Sequence, residues 1–248
     1  LLHDALFALW GEIGDQATLL KLDKPAAEGS IERAARVALD GVKPRLRRGI
    51  GAAYWRLEGQ RLVSLLHEWL AVERQRSSFV VLAREEELTL ELGQLEIRLR
   101  VDRIDELADG ERVVIDYKSG KSSVQDWLGE RPRKPQLLLY GIASPERTGA
   151  LAFAQVRAGE CRYVGLGQVA AAPGIRTEIA RAVGKKMAAG DWSTLNELWR
   201  ENLQRIAQSF IDGEAQVDPS SPASCTWCGL DSLCRVATST TVAVGDGS

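Results

Sequence analysis

The 248-residue sequence has no apolar run near the ~20 residues that a membrane span needs, and it shows no secretory signal pattern. It also lacks an excess of either charge. With 32 basic and 34 acidic side chains the formal net charge is −2, so any surface for a polyanion must be a local patch. Cysteine is scarce, with four in all, and three of them crowd one end. That distribution argues against a secreted disulfide framework and for a metal site in a cytoplasmic protein. Methionine is nearly absent. The single one is Met187, and the chain opens Leu1-Leu2-His3, so it is expected to be cut from a longer polypeptide. What remains is an ordinary globular balance of apolar and charged residues, enough for one well-filled core.

The most informative stretch is Leu99–Gly120, LRVDRIDELADGERVVIDYKSG. Two β-rich runs flank Asp109-Gly110, a strong hairpin signal. Asp102 lies near the end of the first run, and Asp116 and Lys118 lie at the end of the second. Side chains alternate along a strand, so Asp116 and Lys118 share a face and flank Tyr117. Two carboxylates and an ammonium at one end of a hairpin can hold a hard divalent cation and position water beside it. Alone, the same residues also read as a salt-bridged strand end, with Asp116 on Lys118 and Asp102 on Arg103 or Arg100.

Around the hairpin, Leu2, Leu6, Leu9, Trp10 and Ile13 carry a helical period over Leu1 to about Leu22, with His3 near its start. Leu22–Gly29 reads as a polar connector. Helices are expected over Ile31–Leu39 and Arg47–Arg74, broken by Gly41 and Pro44, with Trp55, Leu62, Leu65, Leu66, Trp69 and Leu70 as core and His67 structural. Strands follow at Phe79–Leu90 and Gln94–Arg100. Glu85, Glu86 and Glu87 interrupt the first of these; a charged guard on an edge strand is one reading of them. Lys121–Pro135 is polar and sets Arg131, Arg133 and Lys134 around Trp127, a pattern that suits a phosphate backbone and that a solvated loop would also show. Gln136–Ala143 reads as a helix with Gln136 and Tyr140 on one face. Strands are expected at Ala150–Arg157 and Cys161–Gly167, with Cys161 an inert thiol. Helices are expected at about Ile175–Ala189 and Thr194–Asp212, the latter with Phe210 in the core. Cys225, Cys228 and Cys234 form a C-x2-C-x5-C run, a spacing that suits zinc or an iron–sulfur cluster, both of which want four ligands.

RVDRID, then IDYKSG, then Gln-x-x-x-Tyr closely resembles the nuclease domain of the RecB/AddB-type PD-(D/E)XK superfamily. The resemblance runs from His3 to Cys234, in family order. It implies an α/β fold with a restriction-endonuclease-like mixed central sheet flanked by helices and a nuclease domain over 1–234; the tail over 235–248, being polar and built of small residues, is expected to be disordered. It implies that Asp102, Asp116 and Lys118 are catalytic, with Gln136 and Tyr140 packed against them. The metal ligands would be Asp102, Asp116, the carbonyl of Tyr117 and His3, with Glu85, seventeen residues before Asp102, as a further acid. The ion would be Mg²⁺ or Mn²⁺, the substrate DNA, contacted through Trp127, Arg131, Arg133 and Lys134, and the partner a helicase in double-strand-break repair. Cys225, Cys228 and Cys234 resemble part of an AddB-type iron–sulfur staple whose fourth cysteine would precede Leu1, so an intact cluster is not expected in this chain. The rival expectation is a DNA-binding or scaffold domain without catalysis, against which the presence of His3, Asp102, Asp116, Lys118 and Gln136 together argues. A zinc ribbon for protein contacts ranks last, lacking a fourth ligand.

Overall fold

The structure, a computed structural model, describes residues 1–144, 147–221, 224–226 and 228–234. Its centre is a six-stranded sheet in the order β1 (Phe79–Leu92), β2 (Leu95–Leu107), β3 (Arg112–Lys118), β4 (Thr148–Gln155), β5 (Arg162–Gly167) and β6 (Ile175–Arg176). The pairs β1–β2, β2–β3 and β4–β5 are antiparallel, whereas β3–β4 and β5–β6 are parallel. Parallel neighbours need a crossover, and between β3 and β4 the chain supplies the helix Gln136–Ala143.

One face of the sheet is covered by α1 (Leu2–Ile13), α3 (Lys24–Asp40) and α5 (Ala52–Glu73), with α2 (Gln16–Lys21) and α4 (Pro44–Gly49) between them. The other is covered by α6 (Gln136–Ala143), α7 (Ile179–Val183) and α8 (Trp192–Ile211). The apolar period of the first segment is realised: Leu2, Leu6, Leu9, Trp10 and Ile13 are all buried. It stops at Gly14, whose φ of 74° turns the chain, and Asp15 then caps α2 by accepting the Thr18 N–H at 2.6 Å. The turn between β2 and β3 falls on Asp109-Gly110, with Gly110 at φ 85° and the Glu111 N–H donating to Asp109 Oδ1 at 3.0 Å.

Several expectations are corrected. Leu22–Gly29 is no connector: α3 starts at Lys24 because Asp23 accepts the Ala26 N–H at 2.8 Å, and Pro25 sits in the first turn, where a missing N–H costs nothing. The expected strand Gln94–Arg100 and the first arm of the hairpin are one strand, β2. In place of one helix over Ile175–Ala189 there are β6, the five-residue α7, which ends at Gly184 with its φ of 56°, and a 3₁₀ turn at Gly184–Lys186. Phe210 is 73% exposed and is not core. His67 faces solvent on α5, and Trp55 is half-buried rather than core. Cys161 precedes β5 and is half-buried. The expected disordered tail over 235–248 lies outside the described residues, and among the described residues no helix is long and apolar enough to cross a membrane.

Candidate active site

The β2–β3 ladder sets the geometry. Its outermost recorded pair is Arg103 with Ile115, so one step further out Asp102 comes opposite Asp116, where the strands part. Asp102 turns inward there, and its Oδ2 accepts the Tyr117 N–H at 2.7 Å. His3, at the start of α1, brings Nε2 to 3.3 Å from that same Oδ2 and donates to the Tyr117 carbonyl at 3.1 Å. Three residues distant in sequence thus crowd one point. The crowding raises the His3 pKa from 6.5, chiefly through the Asp102 hydrogen bond, against burial, with the Tyr117 carbonyl and the Asp116 charge adding to it.

Asp116 and Lys118 share a face, as strand alternation requires, and Lys118 Nζ lies 2.6 Å from Asp116 Oδ2. Apart from that ion pair, the buried Oδ2 has no partner among the described residues. Burial raises the Asp116 pKa, Lys118 opposes the rise, and the neighbouring Asp102 charge adds to it. A carboxylate kept poorly satisfied beside a second one is a site that a cation would relieve.

The donor types fit a hard divalent cation: two carboxylates, one backbone carbonyl and an imidazole. Now a proton on His3 joins the imidazole to the two oxygens that a cation would take. Among the described residues, no three His, Cys, Asp or Glu side chains are gathered closely enough to hold an ion. Beside His3 lies a cavity of about 10 Å³, the size of one water, lined also by Asp102, Glu85, Tyr117, Leu6 and Trp10. Glu85 pairs with Arg100 and sits on β1 at φ 50°, a conformation rare for a non-glycine residue and one that stores strain beside the site.

On the far side of Asp116 a cleft of about 270 Å³ is walled by Lys118, Lys134, Gln136, Leu99, Leu139 and Phe153. Gln136 and Tyr140 fasten α6 across β1 and β2: Gln136 Nε2 donates to the Arg100 carbonyl at 3.0 Å and Tyr140 Oη to the Glu86 carbonyl at 3.1 Å. Lys134 pairs with Asp126 at 3.0 Å and faces this cleft. Arg133 pairs with Asp126 as well, while Arg131 is exposed and bound to Asp218 at 2.8 Å. Trp127 is the correction. Its indole is fully buried, with Phe153 at 4.7 Å and Trp199 at 6.4 Å between ring centres, so it has no face to offer a base.

The alternation that turns Asp116 and Lys118 to the cleft turns Tyr117 into the core, onto a buried charge network that the sequence reading missed. Arg103 holds Asp105 with two bonds, at 2.6 and 2.7 Å, and reaches Glu73 at 2.9 Å and the Tyr117 hydroxyl at 3.3 Å. Arg76 closes the ring onto Glu73 at 2.9 Å, Asp105 at 2.6 Å and Tyr163 at 3.1 Å. Trp10 lies 3.8 Å beneath the Arg103 guanidinium. The signal available was Arg103-x-Asp105 on the face of β2 opposite Asp102. Glu73 and Arg76, at the end of α5, carried none.

The cysteine run is less gathered. The Cys228 N–H donates to the Cys225 carbonyl at 3.2 Å, and Cys234 ends the short helix Asp231–Cys234, all as free thiols. Cys161 is engaged elsewhere, its Sγ 3.4 Å from the Arg157 carbonyl and 3.8 Å from Glu68, and burial pushes its pKa up to about 11.

No curated protein matches the chain. Residues 1–235, however, match the family described as the PD-(D/E)XK nuclease superfamily, whose α/β arrangement of a mixed sheet between helical layers this fold reproduces, and the chain belongs to that superfamily.

Proposed function

We propose that this domain hydrolyses DNA phosphodiester bonds with Mg²⁺ or Mn²⁺, at the end of the β2–β3 hairpin. The observation that carries the reading is the meeting of Asp102, Asp116 and Lys118 where those strands part, with Tyr117 between them. Asp102, Asp116 and the Tyr117 carbonyl would hold the cation, with His3 as a nitrogen ligand and Glu85 near enough to hold water around it. When bound, such an ion polarises a phosphoryl oxygen and makes a water acidic enough to attack. Lys118, released from Asp116, would orient that water and offset charge growing on the phosphate. Gln136 and Lys134, on the cleft wall, would bind the phosphates on either side of the scissile one, and Arg131 and Arg133 would lie further along the strand. Gln136 and Tyr140 would also keep α6, and with it the cleft, in register with the acids.

The finer reading is a RecB/AddB-type exonuclease acting beside a helicase in double-strand-break repair. It rests on the RVDRID, IDYKSG and Gln-x-x-x-Tyr strings and on the cysteine run. Cys225, Cys228 and Cys234 would then give three thiolates to an iron–sulfur cluster, the fourth coming from outside this set. The test is cleavage of a labelled DNA substrate with Mg²⁺. Asp116→Ala and Lys118→Ala should each lose about 100-fold or more of the rate, the loss typical when a stabiliser of transition-state charge is removed. Undiminished cleavage by either variant removes the mechanism.

A further inference from the structure

Between Gly41 and Leu57 the chain carries Lys43, Arg45, Arg47, Arg48 and Arg56 and no acid, against a net charge of −2 for the whole sequence. This segment is α4 and the first turn of α5. Lys43, Arg45 and Arg56 are exposed, and so are Leu46, Tyr54 and Leu57, at 58%, 49% and 60%. A solvated helical face of this length ordinarily mixes both signs of charge and exposes few large apolar groups. Basic side chains interleaved with an exposed aromatic are the composition of a surface for single-stranded nucleic acid, in which charge follows the phosphates and rings take the bases.

Its place in the fold relates it to the cleft. Glu12, in the last turn of α1, accepts from Ser30 at 2.7 Å and pairs with Arg33, midway along α3. The residues of α3 before Ser30 are exposed or half-buried and its buried ones run from Ser30 on to Ala38, so α3 packs from that contact back along α1 and the two helices run antiparallel. His3 is nine residues before Glu12 and Asp40 is seven after Arg33, which at 1.5 Å per residue is about 13 and about 10 Å. The end of α3 is therefore level with His3. Asp40 holds Arg47 at 3.3 Å, and the Trp55 indole donates to the Arg47 carbonyl at 3.4 Å, so α4 is tied to that corner. There Leu39, Arg47, Trp55 and Arg56 line a shallow pocket of about 220 Å³.

We propose that α4 and the first turn of α5 form a second nucleic-acid contact, a track for a single-stranded segment of the substrate at the His3 end of the helical layer. Lys43, Arg45 and Arg56 take its phosphates, and Tyr54 with Trp55 takes its bases. The proposal rests on the nuclease reading for its substrate, and its test reads binding without cleavage. A fluorescent oligothymidylate is titrated with the whole chain in EDTA, at several salt concentrations, and followed by anisotropy. The variant Lys43→Glu/Arg45→Glu/Arg56→Glu, all surface positions, should bind about 10-fold or more weakly and with a salt slope shallower by about 2. Equal affinity and slope for variant and wild type overturn the track. A second measurement needs no variant: ultraviolet crosslinking of 4-thiothymidine oligonucleotide to the wild-type chain should mark the peptide that holds Tyr54 and Trp55, and crosslinks confined to other peptides overturn it. Wild-type chain that binds anionic phospholipid vesicles but not the oligonucleotide gives the patch to a membrane surface and overturns it too. Patch-dependent binding in a chain that never cleaves sinks hydrolysis alone, and cleavage with patch-independent binding sinks the track alone.

Discussion

At the scale of single residues, the proposed site at the hairpin end depends on a side chain that never reaches it. Tyr117 contributes backbone to the site, its N–H to Asp102 and its carbonyl to His3, while its ring is held in the core by Arg103. Arg103 is wholly buried and neutralises Glu73 and Asp105 together with Arg76. Removing one member of a buried ion network leaves the others uncompensated, which costs far more than an exposed pair is worth. Arg103→Ala should therefore lower the unfolding free energy by about 3–5 kcal/mol, measured by urea denaturation. A loss below about 1 kcal/mol, the worth of a surface pair, would mean that the network is dispensable. Trp127 teaches the converse. Its company of basic residues in the sequence suggested a surface for bases, yet an indole placed between two aromatic-rich elements gains more by burial than by exposure.

At the scale of elements, the β2–β3 hairpin was legible because its signals are local. Asp109-Gly110 marks the turn, and alternation along β3 separates Asp116 and Lys118 from Tyr117. The segment after β5 was not legible, because the backbone there is set by a neighbour. Gly174 has a φ of 99°, and a Cβ on it would stand 2.1 Å from the Tyr163 carbonyl oxygen. That close approach bends the chain onto β5 and turns what reads as a helix into β6 and the short α7. Gly174→Ala should cost about 3 kcal/mol or more, since it adds a forbidden φ to a backbone clash, and should lower the melting temperature by about 6 °C or more. An unchanged melt in differential scanning calorimetry would show that the turn can open without loss. The start of α3 was missed for a related reason: Pro25 looks like a breaker unless Asp23 is recognised as the cap.

At the scale of the whole molecule, the buried network joins the end of α5, β2, β3 and β5, so its ionisation bears on the fold as a unit. Burial alone would raise the Glu73 pKa, but the charges and hydrogen bonds of Arg103 and Arg76, with Tyr163, outweigh it and hold the group below its ordinary 4.5. A carboxylate depressed in the folded state adds stability that is present above its unfolded pKa and lost as pH falls through the folded one. Urea midpoints should accordingly fall steeply as pH drops below about 4.5, and Glu73→Gln should flatten that fall; the same acid profile in both proteins would place the linkage elsewhere. Such long-range joins are what the sequence could not announce, since Glu73 and Arg103 meet only after a helix and a sheet have packed. The central claim, that Asp102 and Asp116 share one cation, is open to a direct measurement. Crystals of the chain grown with Mn²⁺ should give an anomalous difference peak ligated by both carboxylates and by the carbonyl of Tyr117. Manganese bound by only one of the two acids, or ordered only elsewhere on the molecule, would contradict it.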